Sequence, residues 1–199
     1  MTPDLSAMTQ LAPIFRELFK GYHLSRHDAA LYAQLTQLQD EYRVLFKALG
    51  FTLVCDPRGF FYFGPDQAGA QVNKTAQRLA LFTFILIEYI ADLGRDPLTV
   101  LDGGLLARDE LPTLLDKYKD LLLQAEVSSV EELEEKILRR MGQLGFVAEQ
   151  NGQYRFLAPM HRFLDVCLSV QHDRDLSSAL DSSDLPLPDL GSDDEGDSL

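Results

Sequence analysis

The sequence predicts a mainly α chain with small β-hairpin wings, and three observations carry that expectation. Apolar residues recur at helical spacing over several long stretches. Two short runs of strand formers fold about turn signals, Asp56-Pro57-Arg58-Gly59 in the first half and Asn151-Gly152 in the second. The order helices then hairpin occurs twice. Helices followed by a hairpin outline a winged-helix unit, so the expected architecture is a pair of tandem winged-helix domains.

Each element has its own local reason. Between Ser6 and Gly21, residues Leu11, Ile14, Phe15, Leu18 and Phe19 share one helical face, and glycine supplies the stop. A second helix is expected from Ser25 to Gly50, with Leu31, Leu35, Leu38, Tyr42, Leu45, Phe46 and Leu49 along one side. Phe51–Cys55 and Phe60–Phe63 are the strands of the first hairpin. Small and polar residues at 64–75 read as a linker, and a strongly apolar helix fills 75–93. Asp96-Pro97 opens a short extended piece, and a further helix runs from Leu106 to about Leu122, with Pro112 early in it. Ser128 and Ser129, each followed three residues on by glutamate, form a capping-box start for a helix to about Gly145. The second hairpin, 146–156, precedes a closing helix from Pro159 to about Ser169. Domains are thus expected at 1–66 and 75–170, joined by a linker at 67–74 and followed by an acidic disordered tail at 171–199.

The charge is uneven. The formal net charge is −13, and from Gln171 to Leu199 there are nine Asp/Glu against a single Arg. Such a balance opposes non-specific attraction to DNA or anionic lipid. Two distant cysteines and no leader-like start point to a reduced, cytoplasmic protein. The apolar run at 79–93 is interrupted by Glu88 and falls short of the roughly 20 residues a bilayer span needs. No membrane partner is expected.

The run Gly59-Phe-Phe-Tyr-Phe-Gly64 raises a packing problem. Alternation puts Phe61 and Phe63 on one side of the strand and Phe60 and Tyr62 on the other, while a lone hairpin has only one core beneath it. The second cover is either the chain's own other half or another chain. Helix 75–93 poses the same question, because Leu79, Phe82, Phe84, Ile85, Leu86, Ile87 and Ile90 go nearly all the way round it. Phe60, Tyr62, Phe82 and Phe84 are therefore the candidate residues of a partner or dimer interface.

In a helix-turn-helix reader the second helix offers its first turns to base edges. Here those turns carry Glu131, Glu132, Glu134 and Glu135, which oppose entry into a groove lined by phosphates. Lys136, Arg139, Arg140, Arg155 and Arg162 gather around the second hairpin and are either surface charges or contacts to a DNA backbone. Catalytic patterns are missing. There is no G-x-x-x-x-G-K-[ST] loop, and His23 and His27 stand four apart without the glutamate of a zinc-protease motif, as surface histidines do. His161, Asp165 and Ser169 share a helix face with no sign of a pocket. Neither enzyme activity nor a cofactor or metal is expected.

The succession of helices, the Gly59-Phe60-Phe61-Tyr62 hairpin, the long apolar helix, Leu144-Gly145-Phe146, Tyr154-Arg155-Phe156 and Arg162-Phe163 resembles MukE and its MksE-type relatives over about residues 10–170. These are accessory subunits of bacterial condensin-like SMC complexes. The resemblance implies a non-catalytic, dimeric, tandem winged-helix protein. It would bind the kleisin subunit, of the MukF or MksF type, which joins the ATPase heads of the SMC subunit. The setting implied is the cytoplasm and nucleoid, in chromosome condensation and segregation or in plasmid defence. The resemblance also implies that Arg155 and Arg162 meet double-stranded DNA without reading its sequence. A free-standing winged-helix transcription regulator is the other reading of two such units.

Overall fold

The computed structural model describes residues 4–64, 74–98, 103–163 and 165. The linker at 67–73, the tail at 171–199 and the later part of the closing helix lie outside the described residues. The chain divides into a compact unit, Met1–Leu164, and a unit Asp165–Leu199 of which only Asp165 is described.

The first half runs α1 (Leu11–Phe19), β1 (Leu24–Ser25), α2 (Ala29–Gln37), α3 (Gln39–Ala48), β2 (Leu53–Asp56) and β3 (Phe60–Phe63). The helix expected over 25–50 is in fact two helices behind a short strand. They break at Leu38, whose φ of −115° and ψ of 35° leave the helical region. Asp40 and Glu41 then occupy the first turn of α3, where carboxylates complement the helix dipole. Across the break the Tyr42 hydroxyl donates to Gln34 Oε1 at 2.7 Å. The sheet has the order β1-β3-β2, all antiparallel, with Leu24 and Cys55 both opposite Phe61. Ile14, Leu18, Leu35, Tyr42, Phe46 and Phe61 are buried together as its core.

The second half repeats this plan. It runs α4 (Lys74–Asp92), β4 (Leu105–Ala107), a 3-10 turn at Arg108–Glu110, α5 (Leu111–Lys117) and α6 (Lys119–Gln124). A long helix follows, α7, made of Val130–Leu133, a π turn at Glu134–Leu138 and Arg139–Gln143. The hairpin β5 (Val147–Gln150) and β6 (Gln153–Phe156) completes the sheet, and a 3-10 turn at Ala158–Met160 opens the closing segment. The helix expected from Leu106 to 122 therefore begins as a strand, and Pro112 sits in the first turn of α5, where a missing N–H costs nothing. Pro97 and Leu98, expected as extended, are helical. The capping expectation holds: Ser129 Oγ accepts from the Glu132 N–H at 3.2 Å, and Ser128 donates from both N–H and hydroxyl to the Glu132 carboxylate. The sheet order is β4-β6-β5, antiparallel, and Asn151 and Gly152 take positive φ as the tight hairpin turn requires. A second, larger core gathers Leu79, Phe82, Ile85, Leu114, Leu133 and Phe156.

The fold is therefore mainly α with two small three-stranded antiparallel sheets. No helix among the described residues is long and apolar enough to cross a membrane. The apolar helix α4 is covered on most of its circumference, with Phe82 fully buried, yet Phe84 keeps 45% of its surface exposed. Phe82→Ala is therefore expected to cost about 3–5 kcal/mol of stability and Phe84→Ala under about 1 kcal/mol, as read by urea denaturation of each variant.

Candidate functional site

The two halves meet at His23, which is only 6% exposed. Its backbone N–H donates to Leu144 O at 2.9 Å, and its Nδ1 lies 3.0 Å from the same oxygen. A carbonyl can only accept, so Nδ1 carries the hydrogen. Nε2 is then bare and accepts from Arg162 Nη1, a group that can only donate. The ring is further walled by Tyr62 (5.2 Å, stacked), Phe146 (4.6 Å) and Phe60 (6.2 Å). The Arg162 guanidinium lies 3.9 Å over the Tyr62 ring, a cation–π contact that holds the arginine against β3. Burial first, and then the charge of Arg162, pull the imidazole pKa down to about 4. His23 is thus a neutral interior group, not the surface histidine its sequence context implied. Only its distant partners made the difference.

Leu144 reaches His23 because of the residue after it. Gly145 has φ +78°, and a Cβ there would stand 2.5 Å from the His23 carbonyl oxygen and 3.0 Å from the Tyr22 ring. The glycine is needed for its backbone conformation and for the close approach of the two chains. Tyr22 is itself fixed by its hydroxyl, which donates to Asp28 Oδ1 at 3.0 Å, and its own pKa is raised by burial and then by that carboxylate.

Two clefts of opposite sign flank this junction. One of about 470 Å³ lies between α7 and the second sheet, lined by Glu131, Glu134, Glu135 and Glu149 with Arg108 and Arg139. Arg108 pairs with Glu134 at 2.6 Å and, with burial opposing, holds that carboxyl below its ordinary range; the Tyr154 hydroxyl donates to the same group at 2.9 Å. The first turns of α7, which line this cleft, are acidic. The other cleft, about 460 Å³, takes Arg26, His27 and Arg58 from the first half and Arg155 with Gly103 from the second.

The structure separates the basic candidates. Lys136 is spent on the Glu126 carbonyl (2.7 Å) and Glu132 (2.6 Å), which lowers the Glu132 pKa to about 2. Arg139 pairs with Glu135 at 2.8 Å, and Arg140 donates to Gln143 at 2.9 Å. Arg162 belongs to the junction. Arg155 alone of the five opens onto the basic cleft, beside Arg26 and Arg58, which the charge pattern of the second half could not reveal. Among the apolar candidates, Phe60 and Phe82 are buried within the chain, Tyr62 is half-buried under Arg162, and Phe84 is exposed. The most exposed aromatic is elsewhere. Phe19 is 65% exposed and Leu49 56%, beside a groove of about 270 Å³ lined by Phe19, Gly50, Phe51 and Phe63. Phe19 stacks on Phe15 at 5.6 Å and meets Phe51 edge-on at 5.9 Å, so the ledge is built rather than frayed. No cluster of metal-ligating side chains occurs among the described residues.

Comparison with known proteins gives one family: the model described as condensin complex protein MksE matches residues 9–168. No curated protein matches the chain.

Gly145→Ala is expected to lose at least about 1–2 kcal/mol from backbone strain alone, with a further loss as the junction is forced apart, read as a lowered midpoint in denaturant. The junction also makes stability depend on pH. An imidazole titrates near 6.5 in an unfolded chain and at about 4 here, so between these values the unfolded state binds more protons. Stability is full above about pH 6.5 and declines as the pH falls towards 4, by on the order of 2–3 kcal/mol from this group. The difference between the wild type and His23→Gln, followed through that window, isolates the imidazole from the carboxylates that titrate beside it.

Proposed function

The chain belongs to the MksE family and is an accessory subunit of a condensin complex; on that premise we propose that it is the non-catalytic, kleisin-binding subunit of a bacterial SMC complex. In this reading its two halves are winged-helix domains, at 1–66 and 75–170. Among the described residues, three helices in the first half and four in the second, each set with a three-stranded sheet around its own core, support that assignment. The chain reaches the SMC ATPase heads through the kleisin, works as a homodimer in the cytoplasm at the nucleoid, and serves chromosome condensation and segregation or plasmid defence. Contact with double-stranded DNA is part of the proposal, without sequence reading. The acidic lining beside α7 weighs against a free-standing transcription regulator, since four glutamates there would face phosphate.

The observation that carries the proposal is the aromatic ledge at Phe19, whose groove is lined by Phe51, Phe63 and by Gly50, the residue after the exposed Leu49. A side chain of that size left in water forgoes roughly 1.5–3 kcal/mol, and an organised apolar groove rimmed by such side chains is the mark of a binding face. A kleisin segment that lays apolar side chains into the groove would recover that free energy. Phe84, exposed on α4, offers a second apolar contact for the other copy of the chain or for the kleisin.

Co-expression with the middle region of the kleisin encoded beside it tests the proposal. The wild type is expected to co-purify. Phe19→Asp combined with Leu49→Asp is expected to lose the partner while the chain stays folded with at most a modest drop in melting temperature, because more than half of each side chain is exposed. A wild-type chain that binds no such kleisin overturns the subunit reading; a double variant that still binds moves the interface away from the ledge.

A further inference from the structure

We infer that the basic cleft between the two halves is a composite phosphate-binding site that grips the backbone of double-stranded DNA, with Arg26 and Arg58 on one wall and Arg155 on the other. The inference deepens the proposed subunit reading by locating its DNA contact. It also departs from the expectation that the second half alone supplies that contact.

Charge is the first argument. In a chain of net charge −13, the lining of this cleft holds three arginines and a histidine and no Asp or Glu. The side chains of Arg26 and Arg155 make no hydrogen bond or ion pair among the described residues, whereas Lys136 and Arg139 are neutralised by neighbouring glutamates. Arg58 is oriented by Asp56 at 2.8 Å, which fixes its guanidinium on the turn of the first hairpin. The unneutralised guanidinium groups of Arg26 and Arg155, one on each wall, suit phosphate oxygens, because their planar forks donate in pairs, and Arg58 adds donors that Asp56 holds in place.

Shape is the second. Gly59 closes the first hairpin with φ +90°, and a Cβ there would stand 3.0 Å from Arg26 Nε. The missing side chain lets Arg26 lie against the turn, next to Arg58. Gly103 lines the same cleft from the opposite half, so backbone and not bulk forms part of the wall. The lining offers a base little platform. Phe156 is fully buried, the exposed His27 imidazole is the other ring, and the uncharged remainder is glycine, leucine, alanine and serine. A free nucleotide would find its phosphates held and its base supported by one small ring at most, whereas a duplex needs only its phosphates held. Affinity from such a cleft is independent of sequence and falls steeply with salt.

The test uses the full chain, a short labelled duplex and fluorescence anisotropy over a salt series. Arg26→Gln and Arg155→Gln are each expected to weaken binding severalfold and to flatten the dependence of log affinity on log salt by about one. Arg139→Gln is expected to change neither. Arg26→Lys restores most of the slope, since it keeps the charge, and this separates a lost phosphate contact from a lost fold. Unlabelled duplex is expected to compete, and inorganic phosphate, ATP or poly-glutamate at equal charge is not. An Arg26→Gln protein that binds as the wild type does overturns the composite site, as does displacement by free phosphate, ATP or poly-glutamate. Kleisin co-purification on the same preparations keeps the two readings apart. A wild type that holds the kleisin but shows no salt-sensitive duplex binding overturns the cleft alone, and one that binds duplex through the cleft but no kleisin overturns only the subunit reading.

Discussion

A single buried imidazole sets the relation between the two halves of this protein. His23 must be neutral to sit where it does, and both its nitrogens must be satisfied, because a buried polar atom left unpaired costs about 1–3 kcal/mol. One carbonyl, Leu144 O, takes the Nδ1 hydrogen, and one guanidinium, Arg162, supplies the other bond. Both partners lie more than 120 residues further along the chain. Apolar packing alone tolerates sliding between surfaces of similar shape, whereas two directional bonds to one ring do not. The rings of Tyr62, Phe60 and Phe146 around it supply the burial that keeps the imidazole uncharged.

The aromatic run in β3 makes sense from this junction outwards. Phe61 and Phe63 face the first core, as alternation requires, and Phe60 and Tyr62 face His23 and Arg162. Of the two covers the sequence left open, the chain's own other half is the one used on this face. The short motifs of the second half have the same explanation. Leu144-Gly145-Phe146 contributes a carbonyl, a gap and a ring, and Arg162-Phe163 contributes the guanidinium and a second ring 4.9 Å from Phe146. Residues that look like a scattered signature are one contact.

The surface is also divided by charge. The face beside α7 keeps its glutamates, several of them neutralised by Arg108, Arg139 and Lys136, and so cannot approach a phosphate backbone cheaply. On the other side Arg26 and Arg155, one from each half, line a cleft together with Arg58, which Asp56 holds. The net negative charge of the whole chain therefore says little about what any one face attracts. Apolar surface is divided as well: α4 is mostly covered, with Phe84 left open, and Phe19 is the most exposed of the large apolar side chains among the described residues.

Periodicity and turn chemistry by themselves determined the class of fold, both hairpins with their turns, the Ser129 cap and the long apolar helix, since each depends on residues within a turn or two of one another. They did not reveal the break at Leu38, because the apolar stripe continues through it with no glycine or proline, nor β1 and β4, which are two and three residues long and exist only through pairing with β3 and β6. They placed Phe19 and Leu49 on buried faces, since spacing alone does not tell a covered face from one left open. His23 read as a surface residue, and charge alone did not set Arg155 apart from the other four cations. Only the tertiary structure decided these, because burial, an imidazole's charge state and the neutralisation of an arginine are set by groups distant in sequence.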